Sequence, residues 1–158
     1  MRQALGCVTE ALLVEGRVGT RPSSALLNSG RPVRLRGNRD LELSIYIRFS
    51  VEESPSGNRR VWRTELQGYE YLLQRGNGHE ILAYHWHPIG RSYITEPHLH
   101  VSGSIAGIDL SKAHLPTAAV SLSRFIQFLI SDLGVEPIRA DWQRVLSEPL
   151  QPLDPRHH

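Results

Sequence analysis

Four of the eight histidines in this 158-residue chain fall within sixteen residues, as two His-x-His pairs, His85-Trp86-His87 and His98-Leu99-His100. Imidazole changes charge near neutral pH and is the commonest metal ligand. Residues two apart point the same way from a β-strand. If both segments are strands, each pair therefore presents two imidazoles on one face. Pro88 and Pro97 bracket the connection, which is long enough to reverse the chain. Antiparallel pairing is expected to set His87 opposite His98 and His85 opposite His100. Paired Cβ atoms lie roughly 4.5–5.5 Å apart, so four rings would share one patch.

Two chemistries suit such a patch. The first is acid–base catalysis without a metal, of ribonuclease type, with one histidine as base and one as acid. Arg91, Tyr93 and Glu96 lie in the connecting loop, and Arg91 would bind a phosphate and offset charge developing on it. No cofactor is needed on this reading. The second is a metal site, in which His85, His87, His98 and His100 hold zinc or another transition metal. The chain has no His-Glu-x-x-His spacing to mark such a site. The stretch Pro97–Ser102 resembles half of the histidine-triad hydrolase signature, with Ser102 where a third alternating histidine would stand. The plain alternative is that histidines at strand ends only hydrogen-bond at the surface. Likewise Trp62 and Trp86 read as core, while Tyr69 and Tyr71 alternate on a strand that could face solvent. His79 and His114 read as structural or solvated, and the lone Cys7 as a buried, inert thiol.

The elements that position these residues follow from periodicity. Leu41, Leu43, Ile45, Ile47, Phe49 and Val51 alternate with polar residues, the pattern of a half-buried strand. Ser54–Asn58 reads as a turn, with strands at 60–67 and 69–75. Gly76-Asn77-Gly78 reads as a tight turn. Residues 80–87 and 98–102 are the histidine strands. Residues 7–19 fit either a strand turning at Gly16 or a short helix. Residues 20–40 read as an Arg-rich loop with one helical turn at Pro22–Leu27. Near the C-terminus the period changes. Leu122, Phe125, Ile126, Leu129, Ile130 and Leu133 follow helical spacing, with Ser121 as N-cap and Gly134 as stop. A second helix is expected from Ala140 or Asp141 to about Glu148. Strands followed by helices indicate an α+β fold, an antiparallel β-sheet with two C-terminal helices packed on one face. One domain is expected over residues 1–150, with a loose tail at 151–158.

Composition excludes several classes. No run approaches the roughly 18–20 apolar residues of a membrane span. Glu10 and Glu15 interrupt the N-terminal apolar run, so no secretory signal is expected and the protein reads as bacterial and cytoplasmic. One cysteine excludes an intrachain disulfide and any cysteine-rich zinc site. Of the 18 basic residues all but Lys112 are arginine. GC-rich coding or a thermophilic source would explain that alone. Arginine also recognises phosphate and carboxylate through its planar fork. The densest run, Arg31, Arg34, Arg36 and Arg39, is the candidate nucleic-acid contact. It could equally meet an acidic partner in a non-catalytic interaction module.

Six stretches occur in a characteristic order: Tyr69-Glu70-Tyr71, Gly76–Gly78, Ile81–Tyr84, His87-Pro88, Pro97-His98-Leu99-His100-Val101 and Val120–Leu133. This order resembles the TumE-type toxins of bacterial toxin–antitoxin operons, over about 65 residues. The chain departs from that pattern at Tyr84-His85-Trp86, in a longer 102–120 segment and in a second C-terminal helix. The resemblance implies a growth-inhibiting toxin neutralised by a helix-turn-helix antitoxin; together with the histidine patch, the expected function is a toxin-like protein acting on RNA or a nucleotide. It carries over only His87, His98 and His100 as site positions.

Overall fold

In the computed structural model, residues 1–16, 22–37, 39–56, 59–89, 94–105, 108–109 and 113–147 are described. In chain order the elements are α1 (Arg2–Leu5), β1 (Leu13–Glu15), β2 (Ser23–Leu27), a 3-10 turn (Asn28–Gly30), β3 (Val33–Arg34), β4 (Leu41–Ser56), β5 (Arg59–Arg75), β6 (Glu80–Trp86), β7 (His98–Val101), β8 (Ser104–Ile105), β9 (Ile108–Asp109), β10 (Leu115–Pro116), α2 (Leu122–Ser131) and α3 (Trp142–Ser147). The fold is α+β. An antiparallel sheet runs in the order β1-β2-β4-β5-β6-β7-β10, with β3 also paired to β4, while β8 and β9 form a separate two-stranded unit. No helix among the described residues is long and apolar enough to cross a membrane.

The alternation in β4 sets the core face. Leu41, Leu43, Ile45, Ile47 and Phe49 are all buried there. Their β5 partners across the hairpin include Leu73, Tyr71 and Tyr69. Tyr69 and Tyr71, 0% and 2% exposed, are therefore core residues rather than solvent-facing ones. Their rings stack 4.5 Å apart, and Phe125 from α2 stacks on Tyr71 at 5.2 Å. Burial pushes the Tyr71 hydroxyl pKa far up. The helical spacing at 122–129 is what the sheet demands: Leu122, Phe125, Ile126 and Leu129 are buried against it. Ser121 Oγ accepts from the Arg124 N–H at 3.2 Å, capping α2. The Tyr69 hydroxyl accepts from the Val120 N–H at 2.9 Å, tying the start of α2 to β5. At the other end Gly134, with φ +70°, turns the chain so that the Val135 N–H reaches the Leu129 carbonyl. Both C-terminal helices lie on this side of the sheet, as expected.

Three local expectations are corrected. Ser23–Leu27 is a strand, not a helical turn in a loop. It pairs with β1 on one side and β4 on the other, with Ser23, Ala25 and Leu27 buried in alternation. The unpaired edge of β4 needs a partner, and that need outweighs the turn signals at Pro22 and Ser24. The segments 60–67 and 69–75 form one strand, bent where Gln67 bulges out opposite the Arg48/Phe49 step. The Gln67 Nε2 donates to Ser50 Oγ at 3.0 Å across the bulge. Finally, pairing continues through Pro55↔Arg60 and Ser56↔Arg59, so Ser54–Ser56 belong to the strand rather than to the expected Ser54–Asn58 turn, and residues 57–58 lie outside the described residues. The tail from residue 148 also lies outside them.

The Phe125 ring joins the two layers. Phe125→Ala is expected to cost about 3–5 kcal/mol in urea unfolding. Leu12, 76% exposed, should lose no more than about 0.5 kcal/mol on the same change to Ala. Equal effects for the two variants would disprove this picture of the core.

Candidate functional site

Because Tyr84, Leu82 and Trp86 face the helices, the alternate residues of β6 must face the other side of the sheet. Ala83 and His85 lie there. On β7 the same alternation turns Leu99 and Val101 toward the core and His98 and His100 away. The observed register pairs Tyr84 with Leu99 and Leu82 with Val101, both apolar, and places His85 opposite His98 and Ala83 opposite His100. The expected partners, His87 with His98 and His85 with His100, are therefore displaced by two residues. A slip of two keeps every side chain on its face, whereas a slip of one would have scattered them. The displacement arises because β6 stays on β5 only to the Tyr69↔Trp86 rung. Gly68 follows, and a Cβ there would stand 2.8 Å from the Trp86 carbonyl oxygen. His87 and Pro88 leave the ladder at this tight approach.

The patch that results is a ring cluster. His85 lies 4.9 Å from His100, 5.6 Å from His98 and 5.4 Å from His87, centroid to centroid. His98 and His100 are 5.1 Å apart. A fifth histidine joins them. His114 is 4.5 Å from His100 and 5.2 Å from His98. It was expected to be merely structural or solvated. Strand β10 pairs Leu115 with Leu99 and Pro116 with His98, which carries His114 to the level of His100 on the same face. The Thr117 N–H donates to the Pro97 carbonyl at 3.0 Å and holds that edge in place. Nothing near His114 in sequence marks a strand or names β7 as its partner, since Pro116 argues against one.

The rings differ in setting. His98 is the deepest, 5% exposed, and its Nδ1–H donates to the Glu96 carbonyl at 2.8 Å. A carbonyl only accepts, so the neutral ring keeps its Nε2 lone pair for the cluster. Glu96, a candidate site residue, has an exposed side chain, and its backbone carbonyl oxygen is what orients His98. Burial pushes the His85 pKa down to about 4, with the neighbouring imidazoles His100, His87, His98 and His114 adding to the fall. His100 is lowered too, by burial first and then by His114 and His98. Glu70 stands opposite His85 on β5, on the same face of the sheet.

One nitrogen from each of His85, His98 and His100 lies within 4.8 Å of the others. Nitrogens about 2.1 Å from a tetrahedral zinc are roughly 3.4 Å apart, so small side-chain rotations would close the set. Other expected site residues do not join it. Arg91 and Tyr93 lie outside the described residues. Arg31, Arg34, Arg36 and Arg39 are exposed around the start of β4, and Arg34 pairs with Asp40 at 2.9 Å. Leu41 lies about 17 Å along β4 from Tyr46, which is level with Glu70 and His85.

The His85 shift makes a stability prediction. Above pH 6.5 the ring is neutral in both folded and unfolded chains and contributes nothing to the pH dependence. Between 6.5 and about 4 the unfolded chain takes up a proton that the folded ring refuses, so stability falls with pH in that window. His85→Gln should flatten this fall in urea titrations run with a chelator. The Asp141 carboxyl, held down to about 2 by hydrogen bonds from Arg139 and Arg144, acts below the window. Parallel curves for variant and wild type would contradict a depressed His85.

Compared with protein-family models, with curated proteins and with solved structures, the chain finds no match in any of the three.

Proposed function

We propose that this protein binds a divalent transition metal, zinc foremost, through His85, His98 and His100. The observation that carries the reading is the convergence of three imidazole nitrogens within 4.8 Å. Three features support it. The depressed pKa of His85 keeps its lone pair free at neutral pH, as a metal requires. The His98 Nδ1–H bond to a carbonyl is the outer-shell contact that orients metal-bound imidazoles. An all-imidazole set suits zinc, copper or nickel rather than calcium or magnesium. Three ligands from the protein leave a coordination position for water or substrate, the arrangement of hydrolytic centres.

The test uses protein with His157 and His158 replaced by Ser, so that the terminal pair adds no second site. Equilibrium dialysis should give about one zinc per chain, and His98→Ala/His100→Ala should abolish it. Free zinc at 100 times the dissociation constant should stabilise the wild type by about 2.7 kcal/mol and leave the double variant unmoved. Fewer than about 0.1 equivalents in a folded, reloaded wild type would reject the metal reading.

A second reading, a growth-inhibiting toxin using metal-free histidine acid–base chemistry on RNA, draws support from contiguity. The stretches that resemble the toxin family fall on neighbouring strands β5, β6 and β7 and on α2, packed together through Tyr71, Tyr84 and Phe125. Induced expression in a bacterium should then arrest growth, and His98→Ala/His100→Ala should relieve the arrest. Normal growth with soluble, folded wild type would remove this reading and leave the metal one untouched.

A further inference from the structure

The opposite face of the sheet carries a second concavity, independent of the histidines. A cavity of about 460 Å³ opens where β4, β5 and β6 meet the end of α2, lined by Arg39, Asp40, Leu41, Leu73, Arg75, Ile81 and Leu133. Small-molecule sites commonly fall between about 300 and 1,000 Å³. Leu41 pairs with Arg75, and both share the core side of the hairpin. The histidines point the other way.

The polar groups of this pocket are unequal. The Asp40 carboxylate is engaged by Arg34 at 2.9 Å, which offsets its charge. Gly76 makes room for it, since a Cβ at Gly76 would stand 2.8 Å from Asp40 Oδ2. Asp40 itself holds a left-handed backbone, φ +48°, and its carbonyl accepts from the Gly76 N–H at 3.2 Å. Arg39 and Arg75 have no ion-pair partner among the described residues. The pocket therefore keeps two unneutralised guanidinium groups at its rim, over an apolar wall presented by the half-buried Ile81 and Leu133, with the buried Leu41 and Leu73 beneath. Guanidinium forks match carboxylate geometry. An aliphatic wall matches a short hydrocarbon body rather than a sugar.

We propose that this pocket binds a small carboxylate with a short aliphatic body, its carboxylate on Arg39 and Arg75 and its hydrocarbon against Ile81 and Leu133. The free oxygen of Asp40 is then an acceptor for a ligand hydroxyl or ammonium group.

Calorimetric titration with 4-methylpentanoate tests the assignment. A dissociation constant on the order of 1 mM or tighter is expected. Acetate should bind at least about tenfold more weakly, because it lacks the body that reaches the wall. Arg39→Gln and Arg75→Gln, both at exposed positions, should each weaken binding about tenfold. The His98→Ala/His100→Ala variant should bind as wild type does, which separates this site from the histidine centre. L-Leucine binding more tightly than 4-methylpentanoate would support Asp40 as the acceptor. No binding of 4-methylpentanoate, equal binding of the uncharged 4-methylpentan-1-ol, or unchanged binding in both arginine variants would overturn the proposal. Inorganic phosphate binding as tightly as 4-methylpentanoate would overturn it too, reducing the pocket to a general anion site.

Discussion

The contact between Tyr71 and Phe125, 5.2 Å between centroids, is where helix α2 meets the sheet, and it decides which face the strand histidines His85, His98 and His100 share. A sheet with one covered face forces alternate residues to the other. Once Tyr71 and Tyr84 face Phe125, Glu70 and His85 cannot. The same alternation passes through the rungs to β7 and β10, so one aromatic contact orients imidazoles drawn from three separate stretches of chain. The Tyr69 hydroxyl adds a hydrogen bond to Val120 that fixes where α2 begins.

Gathering imidazoles has a cost that the fold must carry. Five rings in one patch cannot all be cations, since each proton taken up raises the cost of the next. Half-burial of His85 and His100 lowers their pKa values and favours the neutral form of those two rings. Neutral rings need hydrogen-bond partners, and the Glu96 carbonyl supplies one for His98. Imidazoles held neutral suit a cation better than a substrate anion.

Much of this was legible in the chain because it is local. Alternation from Leu41 to Val51 marks a strand whatever it pairs with, and His-x-His marks two rings on one face. Helical spacing from Leu122 to Leu129 is equally self-contained. What was not legible depends on pairing between distant segments. Ser23–Leu27 is a strand because β4 has an edge to fill, not because Ser, Ala and Leu favour strands. The buried state of Tyr69 and Tyr71 depends on the bulge at Gln67, which resets the parity of β5 against β4. The register of β6 on β7 depends on where β5 stops supporting β6. His114 depends on β10 closing the sheet, after a connection that carries no pairing signal of its own.

The register error is instructive about what a cluster requires. Of the two antiparallel registers, the expected one makes His87 a core member of the patch, and the observed one gives that place to His100 with His85 and His98. Both preserve the face, so both preserve the chemistry class. What changes is depth. In the observed register the three converging rings are the ones flanked by β5 and β10, and His87 sits at the rim beside Pro88. Burial is what lowers the His85 pKa, with the neighbouring imidazoles adding to the fall. The two-residue displacement therefore changes which rings converge without changing the face they share.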